Sequence, residues 1–550
     1  MQKIVECVPN FSEGRDMSII QQITAEIEKV SDVMLLDVDA GRDTNRTVVT
    51  FAGTPEAVEN AAFLAIKKAS ELIDMSKHSG THPRMGATDV CPFIPVSGVT
   101  MDECVEISKQ VGKRVATELG IPVFLYGYSA TKPERVKLPD IREGEYEALS
   151  QKIKTIHFKP DFGDAVFNPK SGATVIGARD FLIAYNININ SRSVKIANDI
   201  AKRVRESGYT IISKETGEKK IFPGTCKTVQ GVGWYIPEYQ MAQMSYNILD
   251  YRTTPISTVF DESIKYANEF GVRVTGSELI GLIPLSAILT AGKHFLQKQN
   301  MNTGVSEHEL VRIAAQSLGL SELSPFDADK KIIEYRLRKR GKLVSMSVHG
   351  FIDELASDSP APGGGSVAAL CGALSAGLSG MVGHLTYNKK DYANVRNDMI
   401  TTSEKAQKLK DFFIEAIDRD TEAFNSIMTC FSMPKTTDDE KKRRSHAIQE
   451  ATKQATRIPF SVLEKTLETA KLALFVTEKG NKNSLSDAGV AGLTALAAAE
   501  GAFYNVMINL QSIEDVSFKT KMNTNALTIL HDVQKISADI HTYLGSKFIA

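Results

Sequence analysis

The sequence predicts a multidomain chain in which two α/β subdomains of the ferredoxin-like sandwich type precede an all-α helical bundle. At 550 residues the chain is too long for one hydrophobic core. Strand and helix patterns first alternate as strand-helix-strand-strand-helix-strand, and a second α/β unit follows. From Ser347 onward strand patterns disappear and long helical patterns replace them. We therefore predict α/β subdomains at 1–172 and 173–326, a charged linker at 327–346 and a helical domain at 347–550.

The first subdomain is predicted from the period of its apolar residues. Strand segments alternate apolar and polar side chains, whereas helical segments repeat apolar residues every three to four positions. Thr54 followed by Pro55 is typical of a helix start, because a hydroxyl caps the helix and proline suits its first turn. The predicted strands are 3–9, 33–39, 46–51, 89–96 and 123–128, and the predicted helices are 16–30, 55–73 and 101–119.

The same criteria apply to the rest of the chain. The second subdomain has predicted strands at 174–176, 181–189, 229–236, 241–249 and 272–275, and predicted helices at 191–206, 256–270, 286–295 and 307–318. Residues 327–343 are rich in Lys and Arg and hold too few apolar side chains for a core. We interpret them as a solvated linker helix, with a nucleic-acid-binding patch as the alternative. The helical half has predicted helices starting at 366 and spanning 395–430, 438–479, 486–510 and 521–543.

Composition narrows the class of protein. The net charge of −1 gives no support for nucleic-acid binding. None of the six cysteines forms a Cys-x-x-Cys pair, so we expect reduced thiols and a cytoplasmic protein. Residues 366–387 lack Asp, Glu, Lys and Arg and reach the ~20 residues that a membrane span needs. They are rich in Gly, Ala and Ser and include His384, so we predict a helix buried in the core or in a dimer interface, and no membrane span.

One loop, residues 77–89 with the sequence KHSGTHPRMGATD, concentrates reactive side chains. His78 and His82 stand four residues apart, which on a helix is a metal-ligand spacing. Gly80 and Pro83 break a helix at this point, so we predict no metal site. We expect His78 to be hydrogen-bonded in a structural role.

The loop resembles that of glutamate formimidoyltransferase, and the resemblance implies that His82, at the Thr-His-Pro position, is the catalytic base. Transfer of a formimidoyl group requires that a proton leave the attacking amine and return to the departing nitrogen. One imidazole with a near-neutral pKa can do both. A carboxylate would stabilise the imidazolium, and Asp39 at the end of a strand is our candidate, with a turn cap as the alternative.

The substrates require further binding groups. A glutamate derivative carries two carboxylates, which arginine side chains bind well. The arginines in or beside the loops concerned, which the sequence does not rank, are Arg42, Arg46 and Arg84. The resemblance implies that folate binds a loop segment that contains Gly163, Asp164 and Gly172.

The helical half begins with Ala-Pro-Gly-Gly-Gly-Ser at residues 361–366. This segment follows no strand and lacks the Lys-Ser/Thr ending of a phosphate loop, so we reject a nucleotide site. It resembles the opening of formimidoyltetrahydrofolate cyclodeaminase, and the resemblance implies that Gly364 and Ser366 approach the pterin ring. A helix cap by Ser366 is compatible with that role.

The resemblance also implies an essential aspartate in the segment 418–424. Asp420 is the matching position and Asp418 is the alternative. A partly buried aspartate with a raised pKa would protonate the departing ammonia. The polar segment 483–488 resembles the same family and adds Asp487 to the predicted substrate-binding residues. A helix-start acid is the alternative interpretation of Asp487.

The whole chain is similar to the bifunctional formimidoyltransferase-cyclodeaminase family of histidine degradation. The resemblance implies that it transfers formimidoyl from N-formimidoyl-L-glutamate to tetrahydrofolate and then cyclises the product to 5,10-methenyltetrahydrofolate with release of ammonia. It implies tetrahydrofolate as co-substrate, in polyglutamylated form, and a homo-oligomer built from dimers, an octamer. No metal and no nucleic acid are expected. Two alternatives are a formyl-transferring homologue joined to a cyclohydrolase-like domain, which would release no ammonia, and a non-catalytic scaffold, which would bind no folate.

Overall fold

The computed structural model describes residues 3–42, 44–80, 83–212, 218–338 and 341–548. The chain forms two compact units. The first unit comprises Met1–Gly292 with Val311–Arg338, and the second comprises Lys293–Leu310 with Lys339–Ala550. The first unit contains strands and helices, and the second is helical, which confirms the predicted fold class.

The first subdomain is built on one mixed sheet. Its strands are β1 (Ile4–Cys7), β2 (Asn10–Phe11), β3 (Val33–Gly41), β4 (Arg46–Gly53), β5 (Thr88–Ser97), β6 (Val123–Gly127) and β7 (Thr174–Ala178). Its helices are α1 (Met17–Glu28), α2 (Pro55–Leu72), α3 (Met101–Leu119), α4 (Leu138–Arg142) and α5 (Glu145–Lys152). Strand β3 pairs with β4, β4 with β1, and β1 with β5, all antiparallel, as in a ferredoxin-like sandwich.

Strand β7 lies on the other side of the predicted subdomain boundary. It pairs in parallel with both β5 and β6, so it completes the first sheet. The sequence-based boundary at residue 172 assigned this strand to the second subdomain. Periodicity identifies a strand but not its partner, and the partner here is reached through a long crossover.

The two faces of the first sheet differ in chemistry because successive side chains of a strand point to opposite sides. Cys7 and Phe51 lie on the face that packs against α1, α2 and α3, and both are fully buried. Glu6, Asn10 and Arg46 alternate with such core residues and lie on the opposite face. We call this opposite face the open face of the first sheet.

The second subdomain repeats the sandwich. Its strands are β8 (Ile183–Ile189), β9 (Tyr209–Ile212), β10 (Lys219–Phe222), β11 (Val229–Ile236), β12 (Met241–Ile248) and β13 (Val274–Ile280). Its helices are α6 (Val194–Val204), α7 (Ile256–Glu269), α8 (Leu285–Lys298), α9 (Glu307–Leu318), α10 (Ala328–Lys331) and α11 (Ile333–Leu337). The antiparallel order β11-β12-β8-β13 is again ferredoxin-like, and β9 and β10 form a separate hairpin.

The predicted linker is shorter than the sequence suggested. Residues 328–337 form α10 and α11 within the first unit, where Ile332 and Ile333 are fully buried. Ile332 also forms a bridge with Ile283, and Arg336 donates to the carbonyl oxygen of Leu36. Two isoleucines are therefore enough to anchor a segment whose other side chains are mostly charged.

The helices of the second unit are α12 (Val348–Leu355), α13 (Gly364–Tyr387), α14 (Arg396–Phe431), α15 (Asp438–Lys479), α16 (Leu485–Gln511) and α17 (Val516–Phe548). Helix α13 packs against α14, α15 and α16. Two segments of the described chain, Gly364–Tyr387 and Lys482–Gln511, are long and apolar enough to cross a membrane. Core helices of soluble proteins meet the same test, so length and composition alone do not show a span.

The second unit also contains a segment from the middle of the chain, residues 293–310. Asn302 is buried and donates to Oγ of Ser403 on α14 at 3.1 Å. The carbonyl oxygen of Gly304 lies 2.9 Å from Nε2 of His384 on α13. A Cβ on Gly304 would lie 2.3 Å from that of Ser403, so only glycine allows this close approach.

Candidate active sites

His78, near the start of the histidine loop, is fixed against the turn between β3 and β4. Nε2 of His78 lies 2.9 Å from the carbonyl oxygen of Asn45, and Nε of Arg84 donates to its Nδ1 at 3.2 Å. Since Arg84 can only donate, Nδ1 carries no proton and Nε2 donates to Asn45. Burial, with a contribution from the Arg84 charge, lowers the pKa of His78. His78 is thus a neutral, structural histidine, as expected, whereas His82 lies outside the described residues and its role stays a prediction.

Arg84 is clamped by two carboxylates of helix α5. It contacts Glu145 at 2.8 Å and Glu147 at 2.6 and 2.8 Å, and 8% of its side-chain surface is exposed. These bonds raise the pKa of Arg84 and lower that of Glu147. The guanidinium is therefore already occupied, which favours a positioning role over the substrate-binding role predicted from the sequence. A cavity of about 450 Å³ beside it is lined by His78, Ser79, Gly80, Arg84, Gly144, Glu145 and Glu147.

A second charged cluster lies on the open face of the first sheet. Asp39 lies opposite Val48 in the register of β3 and β4, and Arg46 is two residues from Val48 on the same face. Asp89 is fully buried and accepts from the backbone N–H of Met85 at 2.9 Å. Arg142 of α4 also donates to both Asp89 oxygens. Burial raises the pKa of Asp89, and the charge of Arg142 opposes that effect.

The three predicted carboxylate-binding arginines stand in different surroundings. Arg84 is occupied by Glu145 and Glu147. Arg42 is exposed. Arg46 is half-buried, and among the described residues its Nε has no hydrogen-bond partner. Burial lowers the pKa of Arg46, whereas Asp89 and Asp39 raise it.

The residues predicted to bind folate lie in two different places. Gly172 has φ +66°, and a Cβ there would lie 2.2 Å from the carbonyl oxygen of Met85, so Gly172 packs against the end of the histidine loop. Gly163, with φ +86°, lies instead against Ala116 of α3. Asp164 is exposed beside it. Only Gly172 of these three residues therefore adjoins the loop.

Asp418 has a structural role in the helical unit. Its two carboxylate oxygens accept from the backbone N–H groups of Leu343 at 2.8 Å and Val344 at 3.1 Å. A Cβ on Gly341 would lie 2.1 Å from its Oδ2, so the preceding backbone also packs closely around it. Asp418 thereby fixes the segment that leads into α12.

Asp420 faces the start of α13. A Cβ on Gly365 would lie 2.2 Å from its Oδ1, so the absence of a side chain there makes room for the carboxyl group. Burial raises the pKa of Asp420, and hydrogen bonds from the backbone and side chain of Ser366 oppose the rise. The side chain of Asn505 lies beside Gly364. Gly364, Ser366 and Asp420 therefore lie close together, and their role in binding a pterin stays a prediction.

Within one chain, Asp487 does not lie near Gly364, Ser366 and Asp420. Helices α13 and α16 run antiparallel, since Gly364 lies beside Asn505 and Ser375 Oγ donates to the carbonyl oxygen of Ala491 at 2.7 Å. Asp487 precedes Ala491 by one turn. At 1.5 Å per residue it lies about 20 Å from Ser366 along the helix axis.

Several residues of these clusters were not predicted as site residues. They are Asn10, Asn45, Asp89, Arg142, Glu145, Glu147 and Asn505. Most contact partners far away in sequence, so no local spacing reveals them. In the described part of the chain, no group of His, Cys, Asp and Glu residues could hold a metal ion.

The α/β part of the chain thus carries a histidine loop, and the helical part carries a half-buried aspartate, Asp420. Together these features define a class of enzyme with two sites. The formiminotransferase N-terminal subdomain model matches residues 4–179, the formiminotransferase domain model matches 184–338, and the formiminotransferase-cyclodeaminase model matches 347–528. The chain belongs to the formimidoyltransferase-cyclodeaminase family, and is a transferase and a cyclodeaminase.

Relatives cover the whole chain and each half. Formimidoyltransferase-cyclodeaminase of Mus musculus is 42% identical over 541 residues, 98% of either chain. Glutamate formimidoyltransferase of Streptococcus pyogenes is 42% identical over 303 residues, 55% of this chain and 96% of its own. Methenyltetrahydrofolate cyclohydrolase of Methylorubrum extorquens is 38% identical over 201 residues, 36% of this chain and 97% of its own.

Proposed function

We propose that this protein transfers the formimidoyl group of N-formimidoyl-L-glutamate to tetrahydrofolate and then cyclises 5-formimidoyltetrahydrofolate to 5,10-methenyltetrahydrofolate. The observation that carries the proposal is the presence, in one chain, of a histidine loop and of an aspartate that faces the start of a glycine-rich helix. Full-length similarity to a formimidoyltransferase-cyclodeaminase supports the pairing of these two sites. The first step uses tetrahydrofolate as substrate, and the second uses its 5-formimidoyl derivative.

In the transferase step, His82 takes the proton from N5 of tetrahydrofolate as N5 attacks the formimidoyl carbon. The tetrahedral intermediate then loses its bond to the glutamate nitrogen, which receives the proton back from His82. The hydrogen bonds of His78 with Asn45 and Arg84 hold the loop that carries this base. Asp39 stabilises the imidazolium by its negative charge.

In the cyclodeaminase step, N10 forms a bond to the formimidoyl carbon and the bond to the imino nitrogen breaks. Ammonia leaves with its own imino hydrogen, the N10 hydrogen and one proton from an acid. Asp420 is suited to supply that proton, because burial raises its pKa and favours the protonated form. The absence of a side chain at Gly364 leaves room for a flat ring near it.

The test uses the full-length chain with two variants and two substrates. His82→Ala should abolish transfer from N-formimidoylglutamate, by ~10²–10⁴-fold for the loss of one general base. The same variant should still release ammonia from supplied 5-formimidoyltetrahydrofolate. Asp420→Asn should show the opposite pattern. A transfer rate within threefold of wild type in His82→Ala would remove His82 from the mechanism.

A second function of the helical half has one observation in its favour. The Methylorubrum extorquens relative of this half is a methenyltetrahydrofolate cyclohydrolase. Such an enzyme hydrolyses the methenyl bridge of methenyltetrahydrofolate, and no ammonia forms. Measurement of ammonia from 5-formimidoyltetrahydrofolate separates the two functions, and stoichiometric ammonia would exclude the cyclohydrolase as the main activity.

We also propose that two copies pair through α13 and α16 and that such dimers build the expected octamer. The two helices share an apolar exposed surface made of Leu374, Met381, Leu385, Val490, Leu493, Tyr504 and Ile508. A two-fold axis across this surface would bring Asp487 of one copy beside Gly364 of the other. Leu493→Glu should lower the mass measured by sedimentation and reduce ammonia release. Leu527→Glu, at a comparably exposed leucine of α17, is the control, and equal masses for both variants would contradict the proposal.

Two further features remain proposals: a cytoplasmic location and the use of polyglutamylated folate. The basic cluster at the start of α15 supports binding of an anionic tail. Lys441 in this cluster contacts Asp438 at 3.0 Å, Arg443 donates to the carbonyl oxygen of Asp439 at 3.4 Å, and Arg444 donates to that of Phe431 at 3.0 Å. Lys442 is exposed, in a position to bind an anion. Neutralising residues 441–444 should make the free intermediate accumulate with polyglutamylated folate but not with the monoglutamate.

A further inference from the structure

Two buried polar atoms on the open face of the first sheet have no hydrogen-bond partner within the part of the chain that the structure describes. They are Nε of Arg46 on β4 and Oδ1 of Asn10 on β2. Only 4% of Asn10 is exposed, and its Nδ2 donates to the carbonyl oxygen of Val8 at 2.8 Å. This bond fixes the amide and leaves Oδ1 as an acceptor. Buried polar groups are nearly always hydrogen-bonded, so an unmet donor and an unmet acceptor point to a ligand.

The strand register places the two groups side by side. Asn10 lies opposite Val48, and Arg46 is two residues from Val48 on the same face of β4. Such diagonal neighbours are about 7–8 Å apart, which is within reach of a long side chain. Asp39 of β3 also lies opposite Val48, so the candidate catalytic carboxylate borders the same place.

The histidine loop adjoins this corner of the sheet. Asn45 immediately precedes Arg46 in the chain. The side chain of Asn45 donates to the carbonyl oxygen of Ser79 at 2.9 Å, and its own carbonyl oxygen lies 2.9 Å from Nε2 of His78. A ligand bound by Arg46 would therefore lie next to the loop that carries His82.

Among the described residues, two carboxylates, Asp89 and Asp39, attract Arg46 without accepting a hydrogen bond from its Nε. Both oxygens of Asp89 are already occupied by Arg142 and by the backbone N–H of Met85. Asp39 contributes attraction across the strand pair, and Arg142 contributes repulsion. An anionic ligand would give the Arg46 guanidinium the hydrogen bond that its protein neighbours do not supply.

We propose that Arg46 and Asn10 bind the amino-acid end of the formimidoyl donor. Nε–H of Arg46 donates to the α-carboxylate of the donor, and Oδ1 of Asn10 accepts its adjacent N–H. An N-substituted α-amino acid presents these two groups one carbon apart, in the complementary order of acceptor and donor. This assignment rests on the proposed transferase function, and it selects Arg46 over Arg42 and Arg84.

The glutamate of folate presents the same chemistry, because its amide N–H also neighbours an α-carboxylate. The position of Arg46 and Asn10 favours the formimidoyl donor over folate as their ligand. In the donor, the α-carboxylate is three bonds from the reacting carbon, so its binding site has to adjoin the catalytic groups, as Arg46 adjoins Asp39. In folate, the glutamate lies at the opposite end of the molecule from the pterin.

Steady-state kinetics of the full-length protein test the proposal. Arg46→Met should raise KM for N-formimidoylglutamate by roughly 10–100-fold, the equivalent of one lost hydrogen bond between charged groups. Asn10→Leu should raise it by roughly 5–10-fold. KM for tetrahydrofolate and ammonia release from supplied 5-formimidoyltetrahydrofolate should stay at wild-type values. Arg192→Met, at an exposed arginine of the second subdomain, is the matched control.

Two further ligands make the test specific. A donor without the α-carboxylate, 4-formimidoylaminobutanoate, should be used equally well by wild type and Arg46→Met. N-acetylglutamate, which cannot react, should bind wild type in titration calorimetry and fail to bind Arg46→Met. The second experiment requires no catalysis, so it judges the binding site separately from the proposed reaction.

Two results would overturn the proposal. If Arg46→Met raised KM for tetrahydrofolate but not for tetrahydropteroate, which lacks the glutamate, Arg46 and Asn10 would bind folate instead of the formimidoyl donor. Unchanged donor KM together with unchanged binding of N-acetylglutamate would exclude any such role. Loss of N-acetylglutamate binding in Arg46→Met, in a protein whose wild type transfers no formimidoyl group, would support the site and count against the proposed function alone.

Discussion

Replacement of Arg84 by methionine tests whether the histidine loop depends on its ionic clamp. The guanidinium donates to Glu145 at 2.8 Å, to Glu147 at 2.6 and 2.8 Å and to His78 at 3.2 Å. The carboxylates keep 39% and 63% of their side-chain surface exposed, so solvent screens part of each interaction. A hydrogen bond to a charged group contributes ~1.5–3 kcal/mol, and after screening we expect Arg84→Met to cost about 2–4 kcal/mol of unfolding free energy.

Scanning calorimetry and transfer kinetics measure this effect. A loss of that size should lower the melting temperature of the α/β unit by roughly 5–10 °C. The transfer kcat/KM should fall by about tenfold or more, since a misplaced loop loses the geometry that the reaction needs. The transition of the helical unit and ammonia release from supplied 5-formimidoyltetrahydrofolate should not change. Arg192→Met again serves as the control.

The pH dependence of stability tests the Arg84 clamp independently. The pKa of His78 lies below its ordinary value of 6.5 because of burial and the Arg84 charge. Neutral His78 therefore contributes stability that is fully present above that ordinary value and is lost as the pH falls through the lowered pKa. Arg84→Met removes one cause of the lowering, so the variant should lose less stability than wild type on acidification. Unchanged melting, unchanged transfer and an unchanged pH profile together would refute the clamp.

Two other predictions concern single carboxyl groups. Asp420→Asn should abolish ammonia release. Asp418→Asn should keep it and lower the melting temperature of the helical unit, because two backbone N–H groups lose their acceptor. Equal loss of ammonia release in both variants would contradict the assignment. Burial raises the pKa of Glu6 to about 8, so its protonated form contributes stability at low pH that is lost as the pH rises through that value. Glu6→Gln should melt with wild type below the ordinary glutamate pKa of 4.5, and increasingly above wild type as the pH rises from there to about 8. Identical melting at all pH values would show that Glu6 does not titrate on this sheet.

Local patterns predicted the elements whose causes are local. Helix α2 begins at Pro55 as the Thr54-Pro55 pair indicated, although Thr54 makes no side-chain cap bond. The glycine-rich helix was also predicted, two residues short of its observed start at Gly364. Strand β7 was placed in the wrong subdomain because the choice of partner strand is a tertiary property. Ile332 and Ile333 escaped notice because two apolar residues in a charged run give no periodic pattern.

The site residues likewise divide into those that a local pattern predicts and those that depend on distant partners. The histidine loop could be found because its reactive residues are consecutive, and its composition is typical of functional loops. Its clamp could not, since Arg84 and Glu147 are 63 positions apart. Asp418 and Asp420 are adjacent choices in sequence, yet two residues along a helix rotate a side chain by about 200°, so only the structure assigns them to different neighbours.

The turn at residues 300–304 makes the helical unit discontinuous in sequence. A chimera that takes its helical half from a relative and is spliced only at residue 347 would keep a foreign turn against α13 and α14. Oγ of Ser403 and Nε2 of His384 would then have to bind groups selected for another surface. A chimera that exchanges residues 293–310 together with the C-terminal half would transplant a complete packing unit. For recombination between members of this family, the helical unit is therefore exchanged through three junctions rather than one: two flank residues 293–310 and the third precedes the C-terminal half.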